Sequence, residues 1–333
     1  MKKITALTVV LLFALQLTAC GNASPDTLFP ESFGNEQVFA DNIGSLNSNA
    51  SVCLYENYYV AVKHVNFGNT DRIIMINKKD KSESIVYDCG ENISSIKPIS
   101  NNELCVITAE SNLSYINLNL VTGEASEVFP DIDSNNTVIR LEPYFLEETV
   151  FLDMTAAVEN EGEPIHEIYV MNGDGAYSLF VENCSQFQIV DNGIVYEYAG
   201  RIYSKTADGT ASELLDFNSD SVFSALTNKY LVSVGSGYYE IIDVFTGDFV
   251  CDNPDISFDN SGGIEGLICA ADNFICFSTC EGIEMLDLNT GEVSDVCSVY
   301  PDTMFILDNQ IFFKLSNTVF SIDPNNSQIQ IIS

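Results

Sequence analysis

Three oxygen-bearing side chains at alternate positions could bind a metal ion. Asp131, Asp133 and Asn135 have the spacing with which a short loop wraps Ca²⁺, a hard cation that binds carboxylate and amide oxygens. The sixth position of such a loop is normally glycine, and Asn136 also tolerates the left-handed backbone required there. Glu142 follows, but it is predicted to lie on a strand. The alternative is an acidic loop without metal, so no cofactor is assigned and calcium is kept for testing.

The two histidines, His64 and His166, are candidates for acid–base chemistry. A Ser-His-Asp or Cys-His mechanism needs a histidine beside a nucleophile. The sequence contains neither Gly-x-Ser-x-Gly nor His-Glu-x-x-His. His64 ends a predicted strand and His166 begins one, so we interpret both as ordinary strand-edge residues and predict no catalytic residue. A pair of carboxylates acting on glycans stays open, because linear spacing does not give their separation.

The ten cysteines could form disulfides or bind metal. Excluding Cys20, which belongs to the N-terminal segment, leaves an odd number that cannot pair completely within one chain. Several lie in apolar runs, such as 104–107 and 274–277, where a thiol packs as a small hydrophobic group. Cys276 and Cys280 lack the C-x-x-C spacing of zinc sites. We therefore expect free, buried thiols, which in an exported protein suggest a reducing habitat.

An internal repeat must position these residues. Apolar-alternating segments surround a tight turn containing Thr-Gly and an acid, which is clearest at Gly123, Gly247 and Gly291. Weaker copies lie near Asp80, Gly175, Gly209 and Asn326. Successive copies are separated by roughly 40 residues, the length of a four-stranded propeller blade. The second unit, for example, divides into predicted strands at 95–100, 103–109, 113–118 and 125–129, and the seventh into strands at 304–307, 311–315, 319–322 and 328–332.

The predicted fold is therefore all-β, a seven-bladed β-propeller that covers residues 50–333. An open array of two-sheet solenoid or sandwich units is the alternative, and radial closure is favoured because it hides the sheet edges. The hydrophobic-Asp-x-x-Thr-Gly turn between the third and fourth strands resembles the repeats of bacterial quinoprotein-like and YVTN-type propellers. This resemblance covers roughly 51–333 and implies the fold. It does not extend to a quinone cofactor, because the chain contains no Trp.

The acidic residues are predicted to crowd onto one face of the propeller. Connections between the second and third strands, and between one blade and the next, emerge together on one face, and here they are long and almost free of Lys and Arg. An insertion at 155–166 is one of them. Such a face attracts cationic partners; solubility alone is the alternative explanation. The predicted ligand-binding residues are Asp131, Asp133, Glu159, Glu161, Glu163, Asp216, Asp220, Asp252, Asp255 and Asp259.

The overall charge excludes whole classes of partner. The 333-residue chain has 13 Lys and Arg against 48 Asp and Glu, a formal net charge of −35. Nucleic-acid binding requires clustered Lys and Arg for the phosphates, and so does attachment to an anionic lipid surface through a basic patch. Neither is expected.

The first residues predict a different route to the membrane. Lys2 and Lys3 precede an apolar run, 4–15, that is short for a membrane span. Leu17-Thr18-Ala19-Cys20 resembles the bacterial lipobox, which implies cleavage before Cys20 and a diacylglycerol on its thiol. We therefore expect a signal peptide at 1–19, a lipidated, flexible tether at 20–49, and anchorage at the extracytoplasmic face of the cell membrane.

Two functions follow from these features. The first is a lipid-anchored binding or scaffold module for a protein, peptide or cell-envelope ligand, without enzymatic activity. The alternative is a carboxylate-based enzyme that acts on glycans, which two adjacent acids in the central channel would favour.

Overall fold

The structure, a computed structural model, shows seven four-stranded antiparallel β-sheets arranged as a β-propeller. It describes residues 50–55, 57–65, 70–100, 102–132, 137–146, 149–157, 165–216, 223–235, 238–251, 267–279, 282–324 and 328–332. Within these ranges every regular element is a β-strand, and the strands of each blade are consecutive in sequence. The predicted fold is confirmed. The signal peptide, the lipobox and the tether lie outside the described residues.

The blades contain four strands each and are numbered along the chain. Those of blades 1 and 2 are Val52–Tyr55 (β1), Tyr58–Val65 (β2), Thr70–Asn77 (β3), Glu83–Asp88 (β4), Ile93–Ser100 (β5), Glu103–Thr108 (β6), Tyr115–Asn119 (β7) and Ala125–Val128 (β8). Those of blades 3 and 4 are Thr137–Leu146 (β9), Thr149–Ala157 (β10), Ile165–Met171 (β11), Tyr177–Cys184 (β12), Gln186–Val190 (β13), Gly193–Tyr198 (β14), Arg201–Thr206 (β15) and Ala211–Asp216 (β16).

The remaining blades follow the same pattern. Their strands are Phe223–Leu226 (β17), Tyr230–Gly235 (β18), Tyr238–Asp243 (β19), Phe249–Cys251 (β20), Ile268–Ala270 (β21), Phe274–Thr279 (β22), Gly282–Asp287 (β23), Val293–Cys297 (β24), Thr303–Leu307 (β25), Gln310–Leu315 (β26), Thr318–Asp323 (β27) and Gln328–Ile331 (β28). The strand bounds predicted for the second and seventh units agree with β5–β8 and β25–β28 to within two residues.

The first strand of each blade is the innermost, as the contacts between first strands of neighbouring blades show for β1 with β5, β5 with β9, and β21 with β25. These strands surround the central channel. Because successive strands are antiparallel, all first strands begin at the same end of the channel, which we call the upper face. The connections that were predicted to be long and acidic join strands at this face.

The recurring shape of the third hairpin explains the sequence repeat. In blade 5 the Asp243 carboxylate accepts hydrogen bonds from the backbone N–H groups of Phe245 and Thr246, and Gly247 adopts a φ of 73°. Blades 2 and 6 repeat the arrangement around Asn119 and Asp287. Glycine is favoured because other residues disfavour this left-handed backbone, so the Thr-Gly signature marks the same turn in blades 2, 5 and 6.

The ring closes by side-chain packing between blades 1 and 7. Tyr59 of blade 1 meets Phe312 edge to face at 6.1 Å between ring centroids, and Phe312 stacks on Phe305 at 5.7 Å. Ala50, Val52 and other buried residues complete this cluster. Among the described strands none is shared between the two blades, so this apolar packing, together with an exposed hydrogen bond from Lys81 to Gln330, joins the first and last blades.

The cysteines pack as the sequence predicts. All seven cysteines whose thiols are described are free, and Cys53, Cys105, Cys184 and Cys276 are buried. Burial raises the pKa of the Cys184 thiol to about 12, so this group stays protonated and unreactive at neutral pH. In the described part of the chain, no helix has the length and apolar character to cross a membrane.

Candidate functional site

A cavity of about 450 Å³ occupies the upper end of the channel. Its wall comes from β9, β10 and β11 of blade 3, from β13 of blade 4, and from the start of the first strands of blades 6 and 7. The size lies within the range of small-molecule and cofactor sites. The lining residues are Arg140, Glu142, Tyr144, Asp153, Thr155, His166, Gln186, Phe187, Gln188, Leu267, Ile268, Thr303 and Met304.

Strand register brings the charged members of this wall together. Glu142 on β9 lies directly opposite Asp153 on β10, and Arg140 lies opposite Thr155. Thr155 is in turn opposite His166 on β11. Because side chains alternate between the two faces of a sheet, these polar groups share one face, which continues downwards into the apolar core between blades 3 and 4. The wall is therefore charged above and hydrophobic below.

A buried ion-pair network holds Glu142. Lys97, from the innermost strand of blade 2, is 0% exposed, and its Nζ donates to Oε1 of Glu142. Arg140 Nη2 contacts Oε2 of the same carboxylate at 2.7 Å. Lys97 Nζ also lies 3.3 Å from the centroid of the Tyr144 ring, a cation–π contact in a desolvated site. Three charged side chains from two blades are thereby fixed against one aromatic ring.

Opposing effects set the pKa values in this network. Burial alone raises the pKa of Glu142, but the charges of Lys97 and Arg140 outweigh it and leave the pKa below its usual value. Burial lowers the pKa of Lys97, and the facing carboxylate of Glu142 opposes that effect. Glu142 is therefore ionised at neutral pH.

A second pair, Asp153 and His166, lies beside this network. His166 Nδ1 donates to the Asp153 carboxylate at 2.8 Å, so Nε2 is the ring nitrogen left for other contacts. This hydrogen bond raises the pKa of His166 against the opposing effect of burial, while burial raises the pKa of Asp153. The edge contact with Phe187, at 5.7 Å between ring centroids, fixes the imidazole plane. The imidazolium form is thereby favoured at the cavity wall.

The other histidine, His64, also pairs with an aspartate, but this pair lies away from the channel cavity. His64 Nδ1 donates to Asp71 at 2.6 Å, and the second oxygen of Asp71 accepts the backbone N–H of Ile93 in the next blade. Asp71 thus links blade 1 to blade 2. Neither His64 nor Asp71 lines the channel cavity. The predicted strand-edge positions of both histidines are confirmed, and among the described residues His166 is the histidine that lines the channel cavity.

The residues predicted as ligand-binding are mostly beyond the described part of the chain. Asp131 is exposed between β8 and β9. Asp216 ends β16, where its exposed carboxylate lies 3.5 Å from Arg201 Nη2. The others, together with the calcium candidate Asn135, lie outside the described residues: Asp133, Glu159, Glu161, Glu163, Asp220, Asp252, Asp255 and Asp259.

Glu142 is not available to the candidate calcium loop. Glu142 lies on β9, as predicted, but its two oxygens are engaged by Lys97 and Arg140. It therefore does not complete a calcium loop that begins at Asp131. Among the residues that the structure describes, no three His, Cys, Asp or Glu side chains form a group able to hold a metal ion.

Two charged residues of the site, Lys97 and Asp153, were not predicted from the sequence, although they carry a signal. Each is a charged residue in a strand with buried neighbours, such as Ile96 and Leu152. A charge at such a position must be paired in the folded state. Lys97 pairs with Glu142 between the innermost strands of blades 2 and 3, and Asp153 pairs with His166 within blade 3.

Comparisons with known proteins support the fold. No protein-family model matches the chain, and no curated protein sequence matches it. The structure is similar to that of the uncharacterized protein lmo1340 from Listeria monocytogenes EGD-e, with a TM-score of 0.55 and 9% identity over 89% of this chain and 94% of that one. Hsv2 from Kluyveromyces marxianus gives a TM-score of 0.50 and 8% identity over 85% and 94% of the two chains. At these identities the likeness shows the propeller fold alone.

Proposed function

We propose that this chain is an exported, lipid-anchored propeller that binds a protein, peptide or cell-envelope ligand at the upper end of its channel. The observation that carries the proposal is the charged cavity wall. Burying Lys97, Glu142 and Asp153 costs free energy that an apolar wall would avoid, and the fold is stabilised elsewhere by apolar contacts between blades. Charged groups with shifted pKa values in a cleft mark it as a candidate functional site, and Glu142 and Asp153 are such groups.

The acidic loop face is part of this proposal. The segments that contain Asp252, Asp255 and Asp259, or Glu159, Glu161 and Glu163, join strands that end and begin at the upper face, where the cavity opens. Carboxylates around an opening attract ligands that carry cationic groups and raise their local concentration. Loops are also the elements that a rigid scaffold can vary without loss of stability.

The lipid on Cys20 supplies the membrane attachment that the charge of the chain does not. Two acyl chains give a stable anchor. The segment 21–49 is rich in Asn, Ser and Gly and tethers the propeller outside the membrane. The proposed partners are therefore envelope components, and nucleic acid is not among them.

A capture experiment tests the binding role. The domain 50–333 is immobilised and incubated with detergent-solubilised membranes and with cell-wall fragments, and retained material is identified by mass spectrometry. The variant Gln188→Trp places a bulky ring in the cavity wall, and Gln310→Trp makes the same change on the opposite face of the propeller. We expect wild type and Gln310→Trp to retain the same material and Gln188→Trp to lose it. Equal retention by all three would contradict the proposed site.

One observation favours the alternative, a carboxylate-based enzyme acting on glycans. Glu142 and Asp153 are cross-strand partners whose pKa values are shifted in opposite directions, the pattern of an acid and a base at one site. Both carboxylates are, however, paired with cations. Analysis of the cell-wall fragments after the capture experiment separates the two functions, because an enzyme shortens the glycan whereas a binding module returns it intact.

A further inference from the structure

The described charges in the cavity wall and directly behind it do not balance when His166 is protonated. Among the residues that the structure describes, Lys97 and Arg140 are matched by Glu142 and Asp153, so the imidazolium of His166 leaves one positive charge in excess. This local excess contrasts with a chain that has 48 acidic and 13 basic residues. We propose that Arg140 and His166 bind a carboxylate group of a ligand whose cationic groups are attracted by the acidic loop face. The proposal rests on the function proposed above and specifies the chemistry of its ligand.

Arg140 has the donors that such a site needs. Its side chain is 37% exposed and lines the cavity, and the contact with Glu142 is made through Nη2. A guanidinium has five N–H donors in a planar arrangement that matches a carboxylate. Glu142 holds one edge of this plane, so the orientation of the remaining donors is set before the ligand arrives.

His166 supplies the second donor. The Asp153 carboxylate holds Nδ1, which leaves the protonated Nε2 as a donor at the cavity wall. The charged groups that act on the ring are Asp153, Glu142 and Arg140, and the first of them has the largest effect. The Cys184 thiol contacts the backbone oxygen of His166 and is uncharged at neutral pH. A bound anion favours the imidazolium further, so ligand binding and proton uptake are coupled.

The size of this excess favours a carboxylate over a phosphate dianion. Among the charged groups of the site that the structure describes, the excess is a single positive charge, which a monoanion neutralises and a phosphate dianion exceeds.

The two histidines make the test simple, because each gives one imidazole signal in an NMR titration and His64→Gln identifies them. We expect acetate, added at constant ionic strength, to raise the pKa of His166 saturably and to leave that of His64 unchanged. Inorganic phosphate is the second arm and should bind more weakly. Arg140→Gln should weaken acetate binding about tenfold, since one charge-assisted donor set is lost. The matched variant Arg72→Gln, on blade 1, should bind as wild type.

Three results would overturn the inference: no saturable shift at His166, an equal shift at both histidines, or tighter binding of phosphate than of acetate. Each is distinct from failure of the proposed function. If Gln188→Trp abolishes ligand capture while His166 does not respond to acetate, the cavity binds its ligand through other chemistry. If acetate binds but capture does not depend on the cavity, the anion site exists and the proposed function is wrong.

Discussion

Replacing Glu142 by glutamine should lower the free energy of unfolding by about 3–5 kcal/mol, the range observed when one partner of a buried ion pair is removed. Lys97 is 0% exposed and loses the carboxylate that faces its Nζ. Arg140, at 37% side-chain exposure, can still be solvated, whereas Lys97 cannot. Glutamine has nearly the volume of glutamate, so the loss reports charge and not packing. Chemical denaturation of the domain 50–333 measures it.

The control is a glutamate with the same kind of partner at the surface. Glu213 pairs with Arg201 at 3.0 Å, and both side chains are nearly half exposed. Glu213→Gln should cost less than about 1 kcal/mol, because solvent screens such pairs. The double variant Lys97→Met/Glu142→Gln should regain most of the stability, since it leaves no unpaired buried charge. If Glu142→Gln and Glu213→Gln lose the same amount, the buried network does not have the energetic role assigned to it.

Replacing Gly282 by alanine should cost about 3 kcal/mol or more, from backbone strain and steric overlap together. Gly282 begins β23 at the upper face with a φ of 139°. A Cβ built there would lie 2.0 Å from the backbone oxygen of Cys297 and 2.7 Å from the Cα of Ser298. Both obstructing atoms belong to the backbone, so the blade must separate its third and fourth strands to accommodate the methyl group.

Gly209 provides the matched substitution. Its φ is also positive, at 90°, but no atom lies within 4 Å of a Cβ built at that position. Gly209→Ala should therefore cost only about 1 kcal/mol, the conformational strain of the left-handed backbone. Thermal and denaturant unfolding of the two variants separates strain from overlap. Equal destabilisation would show that the close approach of β23 and β24 is absent in solution.

The fold could be predicted from the sequence because its signals are local. The turns at Gly123, Gly247 and Gly291 need residues that tolerate a positive φ and side chains that bind the following N–H groups, and these requirements repeat in the sequence wherever the hairpin repeats. Strand bounds follow from the alternation of apolar residues between such turns. Each of these inferences involves residues only a few positions apart.

The candidate site could not be predicted in the same way, because its contacts join distant parts of the chain. Lys97 and Glu142 are separated by 45 positions and belong to different blades. His166 was interpreted as a strand-edge residue, and its position near the start of β11 agrees. Its partner Asp153, however, lies on β10, on the other side of the long connection between the two strands. Charged residues inside apolar strands were the usable signal. They indicate that pairing must occur but not which residues pair, since blade order in the ring decides that.

Chemical modification of the two histidines tests most directly whether the channel cavity is the site where the ligand binds. Each donates Nδ1 to an aspartate, and their side-chain exposures are similar, 26% for His64 and 30% for His166. The acylation rate of each ring by diethyl pyrocarbonate is measured by mass spectrometry with and without the solubilised membrane and cell-wall fractions. We expect the fraction that contains the ligand to protect His166 and to leave His64 unchanged. Equal rates at His166 with and without every fraction, or protection of His64 instead, would contradict the assignment of the channel cavity as the binding site.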